Sequence, residues 1–435
     1  MRPVTSTALP ARSPPYPLAE LIAGEIQAHG GWLPFDRFMH LALYAPGLGY
    51  YAHGSAKFGH WPDSGSDFVT APELSPLFGR ALAAQVAQSL AATGTRQVWE
   101  FGAGSGALAG QLIDALAALG QPLESYTIVD VSSALRARQQ ARLARFGERV
   151  RWASRLPKAL RGVVIGNEVL DAMPVKLLAR RGGKWLERGV ALADEKWREW
   201  QQASSAGNAA GPHPSLPPEG EGARFPPPLG EGRVGASSAG SHPDSVNDSA
   251  SSPIPFIWQD RPTPLRPPVD IGGEHDYVTE IHLQARAFIA TLAEKLLAGG
   301  AGAAYFIDYG FPEAEYWHPD RSAGTLMCHR AHRADDDPLA GVGSKDITAH
   351  VDFTGIALAA QQAGLDVLGY ASQGRFLINC GIAPFMQAAT LPDRATAMKL
   401  LAEHEMGELF KVIGFAPPGH GPALGFAEGD RTHRL

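Results

Sequence analysis

Val98-Trp-Glu-Phe-Gly-Ala-Gly-Ser-Gly-Ala-Leu-Ala-Gly110 decides how the chain reads. An apolar run carrying Glu100 leads into three alternating glycines, Gly102, Gly104 and Gly106, and then into Leu108, Leu112, Leu116 and Leu119 at helical steps. Strand, glycine turn and helix in that order make a ligand cradle. Without a Cβ the backbone turns sharply and comes close to a ligand, and the unpaired N–H groups of the helix start face it. Two ligands that share adenosine compete for such a cradle. Gly104-x-Gly106-x-x-Ala109 fits the dinucleotide fingerprint, with Asp130 placed about 20 residues downstream as ribose partner. Glu100 through Gly106 also meets the pattern acid-x-Gly-x-Gly-x-Gly that goes with S-adenosylmethionine, where Asp130 has the same use. Glu100 favours the second ligand. A carboxylate at the strand tip repels a pyrophosphate but pairs with the amino group of a methionine moiety.

Downstream, short apolar runs alternate with helical patterns. Tyr126–Asp130, Val150–Trp152, Gly162–Gly166, Ala303–Gly310, Leu365–Tyr370 and Phe410–Phe415 read as strands, and the spacing predicts an α/β fold with a mostly parallel sheet covered by helices on both faces. A helix over about 133–146 carries Arg136, Arg138, Arg142 and Arg145 on a wet face, with Arg149 just past it. Val175–Val190 reads as a hairpin turned at Gly182-Gly183, and Tyr277–Leu297 as an amphipathic segment. Upstream, residues 17–43 read as helix broken at Gly30-Gly31, and 76–93 as another; Asp67 and Thr70 are suited to capping, with Pro72 and Glu73 in a first turn.

The organisation that follows has a disordered lead at 1–16, an N-terminal helical, substrate-side region at 17–95, the first part of the cofactor-binding core at 96–202, a Ser/Gly/Pro/Ala-rich disordered insertion at 203–254, and the remainder of core and lobe at 255–435. A chain of 435 residues that is 45% hydrophobic has ample material for such a core. Its net charge of −6 gives no case for nucleic acid. Two cysteines, Cys328 and Cys380, fit a reducing compartment, and no run of about 18 apolar residues calls for a membrane span. With no apolar signal core in the lead, the cytoplasm is the expected location. Cys328, His329 and His332 lie close together, but no second pair at ligand spacing follows, so no metal site is assigned.

Seven stretches in fixed order resemble one family. They are Leu43-Tyr-Ala-Pro-Gly-Leu-Gly-Tyr-Tyr51, Asp67-Phe-Val-Thr-Ala-Pro-Glu-Leu-Ser75, Glu100–Gly106, Ile128-Val-Asp-Val-Ser132, Asn167-Glu-Val-Leu-Asp-Ala-Met-Pro174, Ile307-Asp-Tyr-Gly310, and Gly324 through Phe353. The chain looks like the S-adenosylmethionine-dependent methyltransferases of the MidA type, which include a mitochondrial complex I assembly factor that dimethylates an arginine. The resemblance implies a class I, Rossmann-like fold of seven strands, the last antiparallel, with an extra helical lobe. It also implies methylation of arginine on a protein partner. A second copy of the chain is a further possible partner, as a homodimer.

Methyl transfer is mostly positioning, and an arginine acceptor must be gripped and must shed a proton. Glu168, just past the fourth strand, is the candidate grip, with Asp171 as second carboxylate or loop anchor and His350 as proton relay; a capping acid and a structural histidine are the alternatives. Asn167, Thr70 and Glu73 join Glu100, Gly102, Gly104, Gly106 and Asp130 on the cofactor side, Glu73 closing over it. Asp308 is placed in the cleft wall, and Tyr44, Tyr50 and Tyr51 in the pocket floor or the core. A non-catalytic assembly factor, a small-molecule methyltransferase and a dinucleotide oxidoreductase are the rival functions.

Overall fold

The computed structural model describes residues 16–52, 70–130, 132–193, 254, 256–330 and 333–435. The expected lead and insertion, and Asp67, therefore lie outside the described residues, apart from Tyr16 and Ile254.

The central sheet has strands β1 Gln97–Phe101, β2 Ser125–Val129, β3 Val150–Ala153, β4 Gly162–Asn167, β5 Gly302–Phe311, β6 Asp366–Ser372 and β7 Phe410–Ala416. Their order is β3-β2-β1-β4-β5-β7-β6. β1 to β5 pair in parallel, and β7 runs antiparallel to both β5 and β6. This is the class I methyltransferase arrangement expected. A two-residue strand, Val351–Asp352, adds to the far end of β5.

Every residue of β2 and β4 is buried, as the near-continuous apolar runs of a doubly covered parallel sheet require. Side chains alternate between the two faces. Tyr305 and Ile307 of β5 join Leu82, Val86, Leu112 and Leu116 from helices Pro76–Thr93 and Ala107–Ala118. Ala304 and Phe306 join Phe288, Leu292 and Ile356 from helices Leu283–Gly299 and Phe353–Gln362 on the other face. The first helix after the glycine turn stops at Ala118, and Leu119, read as continuing its helical spacing, is 51% exposed.

Between β4 and β5 the chain leaves the central sheet to build a second, antiparallel one from Lys176–Arg181, Lys184–Leu192, Phe256–Pro262 and Tyr277–Ile281, with Leu33–Pro34 paired to its long strand. The hairpin turns where expected, with Gly182 and Gly183 in the left-handed region at φ 52° and 72°. Helices Pro17–Ala28 and Phe35–Tyr44 bury Ile22, Ile26, Phe38 and Met39 in the core that this sheet shares. Tyr277–Ile281 is strand rather than the start of a helix, because Lys176–Arg181 offers it a ladder, and the helix begins only at Leu283.

Candidate active site

Register brings the site together. Phe101 of β1 pairs with Val129 of β2 and Gly166 of β4, and Asn167 pairs with Ile307 of β5. The residues just beyond that rung are Gly102, Asp130, Glu168 and Asp308. Gly102, Asp130 and Glu168 follow the carboxyl ends of β1, β2 and β4, where open α/β sheets bind ligands, and Asp308 stands beside them on the part of β5 that runs on past its pairing with β4.

On the β1–β2 side lies the glycine cradle. Gly102, Gly104 and Gly106 adopt φ of 59°, 49° and 83°, values that a side chain would make costly. Gly106 is also the N-cap of helix Ala107–Ala118 and provides no side-chain cap, so the helix start stays open. Glu100 is buried under this turn, where the Tyr126 hydroxyl donates to it at 2.8 Å and burial pushes its carboxyl up to about 8. Asp130 accepts from the Ser132 N–H at 2.9 Å and from Gln139 Nε2 at 2.8 Å. Gln139 was not anticipated. Fully buried, it also donates to the Gly104 carbonyl and accepts from the Trp152 indole, so it ties the glycine turn to Asp130. A glutamine in an arginine-rich helix gives no sequence signal for that.

The Thr70–Leu74 segment straps this cradle to the acidic turn. Glu73 accepts from the Ser105 hydroxyl and pairs with Arg142 at 2.6 Å. The Pro72 carbonyl accepts from Gln111 at 2.7 Å, and the Ala71 backbone donates to the Glu168 carboxyl. Thr70 occupies the N-cap of Ala71–Leu74 without a side-chain cap bond; the cap that forms is Ser75, which accepts from the Leu77 N–H at 3.3 Å.

The acidic turn, Glu168–Asp171, sits across from the cradle. Among the described residues Glu168 is the one non-glycine residue with positive φ, at 56°. Its N–H donates to the Ile307 carbonyl at 2.8 Å, and Asn167 Nδ2 donates to its Oε1 at 2.8 Å. Asn167 thus serves Glu168 directly. Asp308, read as a cleft-lining acid, is the loop anchor instead. Its Oδ2 accepts from the N–H groups of Val169 (3.0 Å), Leu170 (2.8 Å) and Asp171 (3.4 Å), while Oδ1 accepts from its neighbour Tyr309 at 3.1 Å. Asp171 is fully buried beside the Tyr309 hydroxyl, and its carbonyl accepts from Ala349 at 2.9 Å. Asp346, also unanticipated, accepts from the Tyr51 hydroxyl at 2.7 Å, and the Tyr44 hydroxyl donates to the Ala172 carbonyl at 2.8 Å. These tyrosines buttress the turn, with Tyr50 packed edge-on against Tyr51. His350 lies against the Tyr309 ring, at 5.1 Å between centroids, and its backbone N–H donates to Thr325 Oγ1 at 3.1 Å.

Glu168, Asp171, Asp308 and Asp346 are each buried, and among the described residues no ion pair reaches Glu168, Asp171 or Asp308. Burial, and secondarily their mutual repulsion, holds Glu168 and Asp171 well above the usual carboxylate range; burial lifts Asp308 to about 7 despite the N–H donors around it. Glu168 Oε2 and Asn167 Oδ1 are buried acceptors left without a well-formed bond. Such a group is a site for a ligand that brings donors and positive charge.

A family model described as putative S-adenosyl-L-methionine-dependent methyltransferase matches residues 81–371. The chain belongs to this family. A Burkholderia thailandensis structure bound to S-adenosyl-homocysteine is 43% identical, with a TM-score of 0.79 over 98% of this chain and 100% of that one. Among curated relatives, the Drosophila melanogaster protein arginine methyltransferase NDUFAF7 homolog is 26% identical over 92% of this chain and 85% of its own length. The human protein arginine methyltransferase NDUFAF7 is 24% identical over 94% and 85%. This methyltransferase uses S-adenosylmethionine, and the cradle suits it: open glycine turn, uncapped helix start, and carboxylates at Glu100 and Asp130 rather than a phosphate-binding set.

The same relatives correct one expectation. Both are named mitochondrial, so the cytoplasmic location inferred for this chain does not stand. Its premises were too coarse. Few cysteines indicate a reducing compartment without saying which, and a mitochondrial address is arginine- and serine-rich and poor in acids, with no apolar core to detect. Among the described residues no helix is long and apolar enough to cross a membrane.

Proposed function

We propose that this methyltransferase acts on arginine side chains of a partner protein. The observation that carries the reading is the acidic turn: Glu168 and Asp171, buried together with no ion pair among the described residues, beside the cofactor cradle. A guanidinium is planar, permanently charged and has five N–H donors, so it can engage two carboxylates at once; a lysine ammonium is a point charge without that fork. The curated relatives, named protein arginine methyltransferases, support the same substrate class.

When bound, the donor supplies a methyl group on a sulfonium. In this reading Glu100 would serve the amino end of that donor, Gly102, Gly104 and Gly106 would let it lie close to the backbone, Asp130 would accept from its ribose, and the Thr70–Glu73 strap would close over it. Glu168 and Asp171 hold the guanidinium with one nitrogen toward the methyl group, and Asn167 fixes the orientation of Glu168. The accepting nitrogen would take the methyl carbon as the carbon–sulfur bond breaks, its electron pair leaving on sulfur as the neutral thioether, and would shed a proton. Glu168, whose carboxyl burial holds above the usual range, is the acceptor of that proton. In this reading His350, whose ring lies against Tyr309, would relay it onward.

The test is methyl transfer from tritiated donor into host lysate, followed by identification of the labelled residue. Label on arginine, lost in Glu168→Gln while S-adenosylhomocysteine still binds, is the expected result. Label on lysine or on a small molecule, or full activity in Glu168→Gln, would overturn the proposal.

A further inference from the structure

The outer edge of the central sheet has a charge unlike the rest of the molecule. Between Arg136 and Arg161 the sequence has nine basic residues and a single acid, Glu148, in a chain whose net charge is −6. The remainder therefore carries −14, and the positive charge is concentrated in one stretch of the chain that includes the edge strand β3. Arg142 and Arg145 are committed, to Glu73 at 2.6 Å and Asp114 at 2.5 Å. Arg149, Arg151, Arg155, Lys158 and Arg161 are each exposed, and among the described residues none forms an ion pair. Arg149, Arg151 and Arg155 lie on or beside β3, the last strand of the sheet, which pairs with β2 alone; Lys158 and Arg161 follow on the crossing to β4, where Leu160 donates to the Lys295 carbonyl and the Arg161 carbonyl accepts from the Trp99 indole of β1.

A charged side chain on an edge strand keeps it from pairing with other chains, and Arg151 alone would serve that purpose. Arg149 and Arg155 beside it exceed that need, because like charges grouped along one short strand repel one another and oppose folding. Such an arrangement is relieved by an anionic partner. We infer that the β3 edge, from Arg149 to Arg155, is a docking surface for a short acidic polypeptide segment of a partner protein.

The composition of the patch selects among anions. None of the large exposed apolar side chains lies within 133–161, so nothing there inserts into a bilayer. The aromatic rings of the patch, Phe146 and Trp152, are half-buried and have Arg145 and Arg136 over them, so they are not bare stacking platforms for nucleobases. A long polyanion would also run past the acidic remainder of the surface, whereas a short acidic segment need not. The exposed cations of the patch, Arg149, Arg151 and Arg155, are all arginines, and guanidinium forks pair with carboxylates bidentately. The inference is independent of the methyl acceptor: the acidic segment can belong to the substrate or to another partner.

The test uses the full chain and a fluorescein-labelled oligoglutamate peptide, followed by anisotropy at physiological ionic strength. The triple variant Arg149→Glu, Arg151→Glu, Arg155→Glu should weaken binding at least about tenfold, a typical cost of reversing charges in an electrostatic interface. The reversal Arg261→Glu, Arg266→Glu, on the other lobe, should leave it within about twofold, as distant sites act independently. S-adenosylhomocysteine binding checks that each variant is folded; if the triple reversal misfolds, the glutamine versions of the same three positions replace it. No binding of the peptide by the wild-type chain, equal binding by the edge variant, or tighter binding to phosphatidylserine vesicles or a single-stranded oligonucleotide would overturn the inference. Because none of these readouts involves methyl transfer, the inference can fail while the arginine reading stands, and the reverse.

Discussion

Asp308→Ala tests the geometry of the acidic turn. The Asp308 carboxylate takes the N–H groups of Val169 and Leu170 at 3.0 and 2.8 Å, with Asp171 more distant at 3.4 Å. Each buried N–H left without a partner costs about 1–3 kcal/mol, so loss of the two short bonds destabilises the fold by roughly 2–6 kcal/mol before water or relaxation offsets part of it. The clamp also holds Glu168 at φ 56°, a left-handed conformation that costs an L-residue about 1–2 kcal/mol. Without the clamp the turn relaxes and Glu168 moves. A displacement on the order of 1 Å costs about 100-fold in rate when catalysis is positional. We expect Asp308→Ala to melt several degrees lower and to transfer methyl about 100-fold more slowly, with S-adenosylhomocysteine affinity within about twofold of wild type, because the cradle on β1 does not depend on it. Asp308→Asn keeps an acceptor oxygen for the turn and should recover much of both losses. Thermal melts, calorimetry and tritium transfer on the two variants are the assays. A wild-type transfer rate in Asp308→Ala would refute the reasoning.

Other outcomes follow from the same structure. Gly104→Val forces a side chain at φ 49°, and a strain of about 1–2 kcal/mol there should weaken S-adenosylhomocysteine binding about tenfold or more by calorimetry; unchanged affinity would remove the cradle from the site. Glu73→Gln breaks the pair with Arg142, whose side chain is 46% exposed, so stability should change by under about 1 kcal/mol while the dissociation rate of S-adenosylhomocysteine in stopped flow rises; a rate unaltered by the change would show that the strap does not close over the ligand. Burial holds Glu100 up to about 8, against about 4.5 in the unfolded chain, so its contribution to stability is fully present below about 4.5 and is lost as pH rises through about 8. Between those limits the ligand-free wild type should lose up to roughly 1.4 kcal/mol per pH unit relative to Glu100→Gln. Parallel wild-type and variant melts from pH 5 to 9 would argue against a buried, titrating Glu100.

The glycine turn, the strand–helix alternation and the hairpin at Gly182-Gly183 were legible in the sequence because each is a local event. A strand, a turn or a helix start is set by neighbours a few residues apart, and periodicity and glycine placement record it. Acid-x-Gly-x-Gly-x-Gly could therefore point to the cofactor, and Glu168 could be singled out at the end of a strand. What the sequence could not assign was which buried acid does what. Asp308 and Asp171 look alike as residues, each an aspartate next to an apolar run. Only the pairing of β4 with β5 puts one beneath the turn as its clamp and leaves the other beside Tyr309. The same holds for Gln139, Tyr51 and Asp346, which meet their partners across 35 and 295 residues of chain. A hydrogen bond between residues so far apart leaves no periodic trace in the sequence, and its existence is decided by the register in which distant strands come together.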